Sequence, residues 1–231
     1  MSQPRRQSEI VSLLTRADAY VSGPQVLQEL RRVIASGEVP PGSPIPLDDV
    51  AAFFGVSLIP VREALKTLLG EGLLEHQPRL GYTVTALSQA ELDELYLVRG
   101  ALEAAALEAA LRQSTPADHE RAAAIHAEVQ AAVSAGDARR FQRASREFHE
   151  ALLAPCRMPR LLHMLGIAWN LTEPVQTMVR VAAADRIELQ ADHQSMLEAF
   201  VARNAEGLRA AAEVHQARLS RCVTALSASA P

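Results

Sequence analysis

The stretch VSLIPVREALKTLLGEGLLEHQPRLGYTV, residues 56–84, decides the fold of the N-terminal part of this chain. Ser57 is a good helix N-cap, and Pro60 suits a first helical turn. Apolar residues then recur at helical spacing, namely Val61, Leu65, Leu68 and Leu69. Two short stretches of strand character follow within residues 73–84, separated by a turn that contains proline and glycine. The sequence therefore predicts a helix followed by a β-hairpin.

Two more helices are predicted upstream of this stretch. Apolar residues recur at helical spacing before the glycine and proline residues of the 37–42 segment, which end the first of these helices. The second runs from about Asp48 to Gly55. Three helices followed by a hairpin are the order of a winged helix-turn-helix, so residues 21–86 are predicted to be a winged helix-turn-helix DNA-binding domain.

The remainder of the chain is predicted to be helical. Beyond Ser88 alanine dominates, and Ser88 with Glu91 has the pattern of a capping box that opens a long helix. Short connections with proline or glycine divide this part into six helices, so residues 87–231 are predicted to be an all-α antiparallel helical bundle. The fold class is therefore mainly α. Residues 1–20 are interpreted as an N-terminal arm, either loose or a frayed helix.

Composition restricts the class of protein. The 231 residues are 48% hydrophobic, which is enough for two domains with their own cores. Only Cys156 and Cys222 occur, so a disulfide framework is not expected. There is no signal-peptide pattern and no apolar run of about 18 residues, so we expect a cytoplasmic protein without a membrane partner. Residues 1–86 hold eight basic and nine acidic residues, whereas DNA-binding domains usually carry a basic excess.

The candidate DNA-contacting residues lie on the predicted second helix of the helix-turn-helix and in the hairpin. The N-terminal residues of that helix reach base edges in the major groove. The candidates are Ser57, Arg62, Lys66, Arg79 and Gly81. A solvated helix face around Arg62 and Glu63 is the alternative interpretation.

Several of these segments resemble a known family of bacterial regulators. Residues 56–84 are similar to the DNA-binding signature of GntR-type bacterial regulators, and ELRRVIASGEVPPGSPI resembles their first helix and turn. YLVRGALEAAA, FHEAL and DHQSMLEAF resemble the effector domain of the FadR-like (FCD) branch. The resemblance implies a homodimeric transcriptional regulator that binds double-stranded operator DNA. Leu58-Ile59 stands where the family usually has Arg-Thr, and Asp48 where some members have a basic residue, so we expect weaker or unusual operator binding.

Three histidines are candidate metal ligands. His149, His193 and His215 each lie on or beside the apolar stripe of a different predicted helix, and a metal would satisfy all three imidazoles. The resemblance implies the same ligand set for a divalent metal, with the usual fourth ligand, an aspartate, replaced by Ser145. Three imidazoles can hold Zn²⁺ or Ni²⁺ with an open position for water or an effector carboxylate. A polar pocket without metal is the alternative.

Arg99 and Glu103 are the candidate effector-binding residues. They are spaced for an intrahelical ion pair, but Arg99 lies on the inner stripe of the first bundle helix, where a guanidinium can clamp a carboxylate. The resemblance places this pair in the effector pocket. We therefore expect a small organic acid as effector.

Two other functions fit parts of the sequence pattern. A three-histidine metal with an open position also describes a metal-dependent hydrolase, but no general-base carboxylate stands at a recognisable spacing near these histidines. A ligand-binding helical protein with a degenerate DNA-binding arm is the other alternative, because of Leu58, Ile59 and Asp48. The sequence favours a regulator that is not an enzyme.

Overall fold

The computed structural model of the chain describes residues 9–16 and 21–228. It divides into two compact units, one formed by residues up to 87 with 167–175, the other by residues 88–166 and 176 onward. The segment 167–175 thus groups with the N-terminal unit, although its place in the sequence predicted the helical domain. Among the described residues, no helix combines the length and apolar character needed to cross a bilayer.

The first unit has the winged helix-turn-helix order that the sequence predicted. Its described elements are α1 Glu9–Leu13, α2 Gly23–Ala35, α3 Leu47–Phe54, α4 Leu58–Gly70, β1 Leu74–Gln77 and β2 Gly81–Val84. Gly55 ends α3 with a φ of 67°, a left-handed conformation that glycine adopts without strain. The chain can therefore turn sharply from α3 into α4, the helix that begins the deciding stretch.

Periodic apolar residues build the core of this unit. On α2 the buried side chains are Val26, Leu30, Val33 and Ile34, and on α4 they are Val61, Ala64, Leu65 and Leu68. Both sets follow the spacing of one helix face, so the two helices pack against each other. Arg31 of α2 also forms a two-pronged ion pair with Glu71 at the end of α4, with N–O distances of 2.8 and 2.6 Å.

The wing contains a segment that the sequence did not predict. β1 and β2 pair antiparallel, with Leu74 opposite Val84 and Gln77 opposite Gly81. The segment 42–45 adds to the other edge of β2, because the Ile45 N–H donates to the Tyr82 carbonyl at 2.8 Å. The proline-rich connector before α3 is therefore part of the wing.

The N-terminal arm is a packed element where it is described. Residues 1–8 and 17–20 of the predicted arm lie outside the described residues. The short helix α1 and the residue after it bury Ile10, Val11 and Leu14 in the core of the first unit. The expectation of a loose or frayed arm is corrected for this stretch, because three apolar side chains reach one core.

Glu29 of α2 holds the end of this arm segment. Its Oε1 accepts hydrogen bonds from the Thr15 N–H at 2.6 Å and the Thr15 hydroxyl at 2.7 Å. The Arg32 guanidinium binds the same carboxylate. The hydrogen bond from Arg32 and those from Thr15 lower the pKa of Glu29 from 4.5 to about 2, and partial burial opposes this.

We expect this attachment to weaken in acid. A carboxylate whose folded pKa is lowered contributes stability above its unfolded pKa, here 4.5, and loses it as the pH falls through about 2. Glu29→Gln at pH 7 should reproduce the loss, raising the exchange rate of the Thr15 amide about tenfold or more. Hydrogen exchange measures this, with Glu63→Gln as the control. Unchanged protection of Thr15 in Glu29→Gln would contradict the assignment.

The second unit is helical, as predicted, and the capping box of Ser88 and Glu91 is confirmed. Its helices include α5 Gln89–Gln113, α6 Pro116–Ser134, α7 Ala138–Leu153, the start of α8 Pro159–Thr172, α9 Thr177–Arg180, α10 Ala183–Val201 and α11 Ala205–Ala228. The fourth predicted bundle helix ends near Pro174 in a 3₁₀ turn, Glu173–Val175, instead of kinking. Proline lacks the N–H that would continue an α-helix.

Candidate functional site

Three helices bring the predicted histidines to one point in the second unit. His149 lies on α7, His193 on α10 and His215 on α11, and all three are buried. Their ring centroids are 4.6 to 5.0 Å apart. The apolar stripes of the three helices turn towards a common core, which is why each imidazole points inward.

The imidazole nitrogens form a set that suits a metal ion. One ring nitrogen from each histidine lies within 4.8 Å of the other two, and His149 Nε2 is 3.2 Å from His193 Nε2. Burial and then the neighbouring histidines lower the pKa of His193 well below its usual value. Burial also lowers the pKa of His215, to about 3. Both rings are therefore neutral at pH 7, the form in which imidazole binds metals.

Two of these nitrogens lack hydrogen bonds. Nδ1 of His193 and Nδ1 of His215 are buried and have no hydrogen-bond partner among the described residues. Buried polar atoms are normally paired, so this cluster is incomplete as a purely protein structure. Three neutral imidazoles with one nitrogen each within 4.8 Å of the other two are a donor set that Zn²⁺ and Ni²⁺ accept, so the residues fit a divalent metal.

Glu103 of α5 orients the first histidine. Its Oε2 lies 3.1 Å from His149 Nδ1, and its Oε1 lies 3.6 Å from Arg99 Nη2. Burial alone would raise the pKa of Glu103, but His149, then Arg99 and His215, lower it to about 2. The carboxylate therefore accepts the Nδ1 proton of His149, which leaves the Nε2 lone pair facing His193.

Asp192 is a second carboxylate at the site, and it is not among the site residues predicted from the sequence. Its Oδ2 is 3.8 Å from His215 Nδ1 and accepts a 2.7 Å hydrogen bond from Arg218 Nε. Asp192 is buried directly before His193. An acidic residue next to a buried histidine was the available signal. Glu103 and Asp192 thus lie beside the Nδ1 atoms of His149 and His215, where carboxylates orient imidazole rings.

A cavity of about 930 Å³ lies between α5 and α11 and reaches the histidine cluster. Its lining includes Glu103, His149, Met196, His215 and Gln216. Arg99 is not among the described residues that line it. Instead its guanidinium carbon lies 4.7 Å from the centre of the Tyr96 ring, in addition to the contact with Glu103. The structure thus joins Arg99 and Glu103 as an intrahelical pair, the simpler of the two sequence interpretations.

Ser145 lies one helical turn before His149 on α7 and is half-buried. A serine hydroxyl is neutral and is a weaker metal ligand than a carboxylate. The negative charge near the histidines is therefore supplied by Glu103 and Asp192, which lie beside the Nδ1 atoms of His149 and His215.

The predicted DNA-contacting residues lie on the exposed side of α4 and at the tip of the wing. Ser57 is at the N-cap of α4, but its side chain makes no capping hydrogen bond. Arg62 and Lys66 are exposed one turn apart, and no ion pair to either is found among residues 9–16 and 21–228. Arg79 and Gly81 form the hairpin turn with φ values of 74° and 78°. Leu58 and Ile59, at the start of α4, are exposed as well.

Comparison with known proteins assigns both parts of the chain. Residues 94–218 match the FCD domain, and residues 23–84 match the bacterial regulatory proteins of the gntR family. The chain belongs to the GntR family. The FCD match covers more than half of the chain and includes all three histidines, so this GntR protein has the FadR-like, FCD type of architecture.

Similar proteins support this assignment. The HTH-type transcriptional regulator McbR of Escherichia coli is 28% identical over 80% of this chain and 85% of its own length. The gluconate operon transcriptional repressor of Bacillus licheniformis is 30% identical over 76% of this chain and 69% of its own length. A solved structure of E. coli McbR/YncC has a TM-score of 0.76 at 26% identity, covering 90% of this chain and 98% of that one. This GntR protein is a DNA-binding transcriptional regulator and not an enzyme.

Proposed function

We propose that this GntR regulator senses a small carboxylate through a divalent metal held by His149, His193 and His215. The observation that carries the proposal is the buried cluster of three imidazoles, in which two nitrogens lack hydrogen-bond partners among the described residues. Zn²⁺ and Ni²⁺ both accept neutral imidazole ligands. Ser145 supplies no charge of its own, so an open ligand position would be available to water or to an effector carboxylate.

The cavity beside the histidines supports a small ligand. Its volume of about 930 Å³ suits a metabolite, and His149 and His215 are both in its lining. The B. licheniformis relative is named for a gluconate operon, and gluconate is a small hydroxy acid. Arg99 with Glu103 is proposed to contact the effector, on the condition that Arg99 leaves the Tyr96 ring to reach the carboxylate.

The DNA side of the proposal rests on α4 and the wing. We infer that Ser57, Arg62, Lys66, Arg79 and Gly81 contact double-stranded operator DNA, Ser57 and the basic residues through phosphates or base edges. The regulator is proposed to act as a homodimer on a two-fold symmetric operator in the cytoplasm, where its DNA is located.

Metal analysis tests the first part of the proposal. Untagged protein, purified without chelators from metal-replete medium, should contain about one Zn²⁺ or Ni²⁺ per chain. His193→Ala should contain almost none, because one of the three imidazole ligands is lost. His163→Ala, which removes an exposed histidine, is the matched control and should retain the metal. Metal-free wild-type protein after dialysis against micromolar Zn²⁺ and Ni²⁺ would refute the metal site.

Calorimetric titration tests the effector. Sugar acids, hydroxy acids and dicarboxylates should include at least one binder whose heat is lost on metal removal. Arg99→Ala should abolish that binding if the guanidinium clamps the acid, whereas Arg112→Ala on the exposed side of the same helix should not. If an acid binds with the same affinity after metal removal and in Arg99→Ala, the effector site lies elsewhere in the protein.

Lys66 gives a prediction for DNA binding. Loss of one phosphate contact lowers the slope of log K against log salt by about one unit. Lys66→Ala should therefore show a slope shallower by about one, with roughly equal losses on specific and unrelated DNA. Fluorescence anisotropy across 50 to 200 mM salt measures this. An unchanged slope would remove Lys66 from the DNA contact set.

A further inference from the structure

Two large apolar side chains are exposed at the start of α4. Leu58 is 37% exposed and Ile59 is 63% exposed, although they are adjacent large apolar residues in the first turn of a well-packed helix. The two residues that follow in the same turn are anchored, because Val61 is fully buried and Pro60 lies against Gly23 of α2. The two side chains are therefore held outward by a fixed helix start.

The position of this pair limits what it can contact. In a helix-turn-helix, the N-terminal residues of the second helix reach base edges in the major groove. Leu58 and Ile59 carry no hydrogen-bond donor or acceptor in their side chains, so they cannot pair with guanine or adenine edges. The apolar group that a base presents in the major groove is the C5-methyl of thymine.

We propose that Leu58 and Ile59 recognise thymine methyl groups in each operator half-site. The proposal rests on the DNA-binding function of the family and is independent of the metal and effector sites. Burial of the two side chains against the methyl groups removes apolar surface from water on both partners. Sequence preference at these positions is therefore for thymine.

The charge of the first unit is consistent with this way of reading DNA. Residues 1–86 carry eight basic and nine acidic residues, so general attraction to phosphate is weak. Asp48, at the start of α3, is also exposed. With this surface, discrimination between DNA sequences has to come from contacts that do not depend on charge. Leu58 and Ile59 provide such contacts.

Removal of single methyl groups tests the proposal. The full-length protein is first used to select binding duplexes from a random DNA library. Each thymine of the selected half-site is then replaced by deoxyuridine, which lacks only the C5-methyl. At one or two positions per half-site, affinity should fall about fourfold for each methyl removed, the effect of losing one buried methyl-sized group.

Variants at the start of α4 show which side chains are responsible. Leu58→Ala and Ile59→Ala should bind the thymine and deoxyuridine duplexes nearly equally at the position each residue contacts. Ile187→Ala removes an isoleucine of similar exposure, 52%, from the helical unit and should retain the wild-type discrimination. Leu58→Arg should shift the preferred base at its position towards guanine, because a guanidinium pairs with O6 and N7.

The outcomes separate this proposal from the DNA-binding function itself. A selected operator with wild-type affinity at every deoxyuridine position overturns the thymine reading and leaves DNA binding intact. Discrimination that persists in both alanine variants assigns the methyl contact to other residues and also overturns it. If no duplex is enriched, the apolar pair faces a partner other than DNA, and the DNA-binding function of this chain fails as well.

Discussion

Replacement of Glu103 by glutamine is expected to lower the affinity of the histidine site for Zn²⁺ or Ni²⁺ by about 10- to 100-fold. The carboxylate accepts the Nδ1 proton of His149 at 3.1 Å and thereby directs the Nε2 lone pair into the cluster. Glutamine keeps the shape of the side chain but removes the charge that would stabilise the His149 imidazole on binding a metal. Competition with a fluorescent chelator measures the affinity directly.

Glu108→Gln is the matched control for this prediction. Glu108 lies on the same helix, but it is exposed and pairs with Arg112 on the surface at 2.7 Å. Exposed ion pairs contribute little to the free energy of folding, and this one does not touch the histidines, so metal affinity should be unchanged in this variant. If Glu103→Gln binds metal as tightly as Glu108→Gln, the carboxylate does not support His149 as a ligand.

Truncation of Phe148 to alanine is expected to lower the free energy of unfolding by about 3–5 kcal/mol. Phe148 is fully buried on α7, and its ring centroid is 5.0 Å from that of His193 and 5.4 Å from that of His126. The variant loses apolar burial and leaves a cavity beside the histidines. Urea unfolding followed by circular dichroism gives the free energy, and the metal affinity of the folded variant should fall as well.

Leu97→Ala provides the comparison for this loss. Leu97 is 72% exposed on α5, so its truncation should change stability by no more than about 0.5 kcal/mol. A change below about 1 kcal/mol in Phe148→Ala would mean that the neighbouring rings close over the space, so that the ring does not hold the cluster in place.

Much of the fold follows from apolar periodicity. The stripes on α2 and α4, the capping box before α5 and the helix-ending glycines were all sufficient to predict their elements. The pairing of residues 42–45 with β2 could not be predicted, because a proline-rich stretch has no strand pattern and its hydrogen bonds are set by tertiary contact. The packed helix α1 could not be predicted for a similar reason, because a five-residue helix is too short for its apolar residues to show a helical period.

The candidate site was predictable in part. His149, His193 and His215 could be found because each interrupts an otherwise apolar stripe, and the structure brings them together. The contact between Glu103 and His149 joins residues 46 positions apart on α5 and α7, so no local spacing reveals it. Asp192 is adjacent to His193 in sequence, but its contact with His215 depends on how α10 packs against α11.

The discontinuity of the N-terminal unit restricts how this regulator can exchange parts with its relatives. Residues 167–175 form one compact unit with residues before 88, although the helical domain separates them in sequence. Leu171 packs closely on Gly72, where an added side chain would meet its Cγ at 3.0 Å. A single recombination event near residue 87 would transfer the winged helix-turn-helix without residues 167–175. The apolar surface against which these residues pack would then be exposed to solvent. Functional hybrids between such regulators therefore require that both segments come from the same parent.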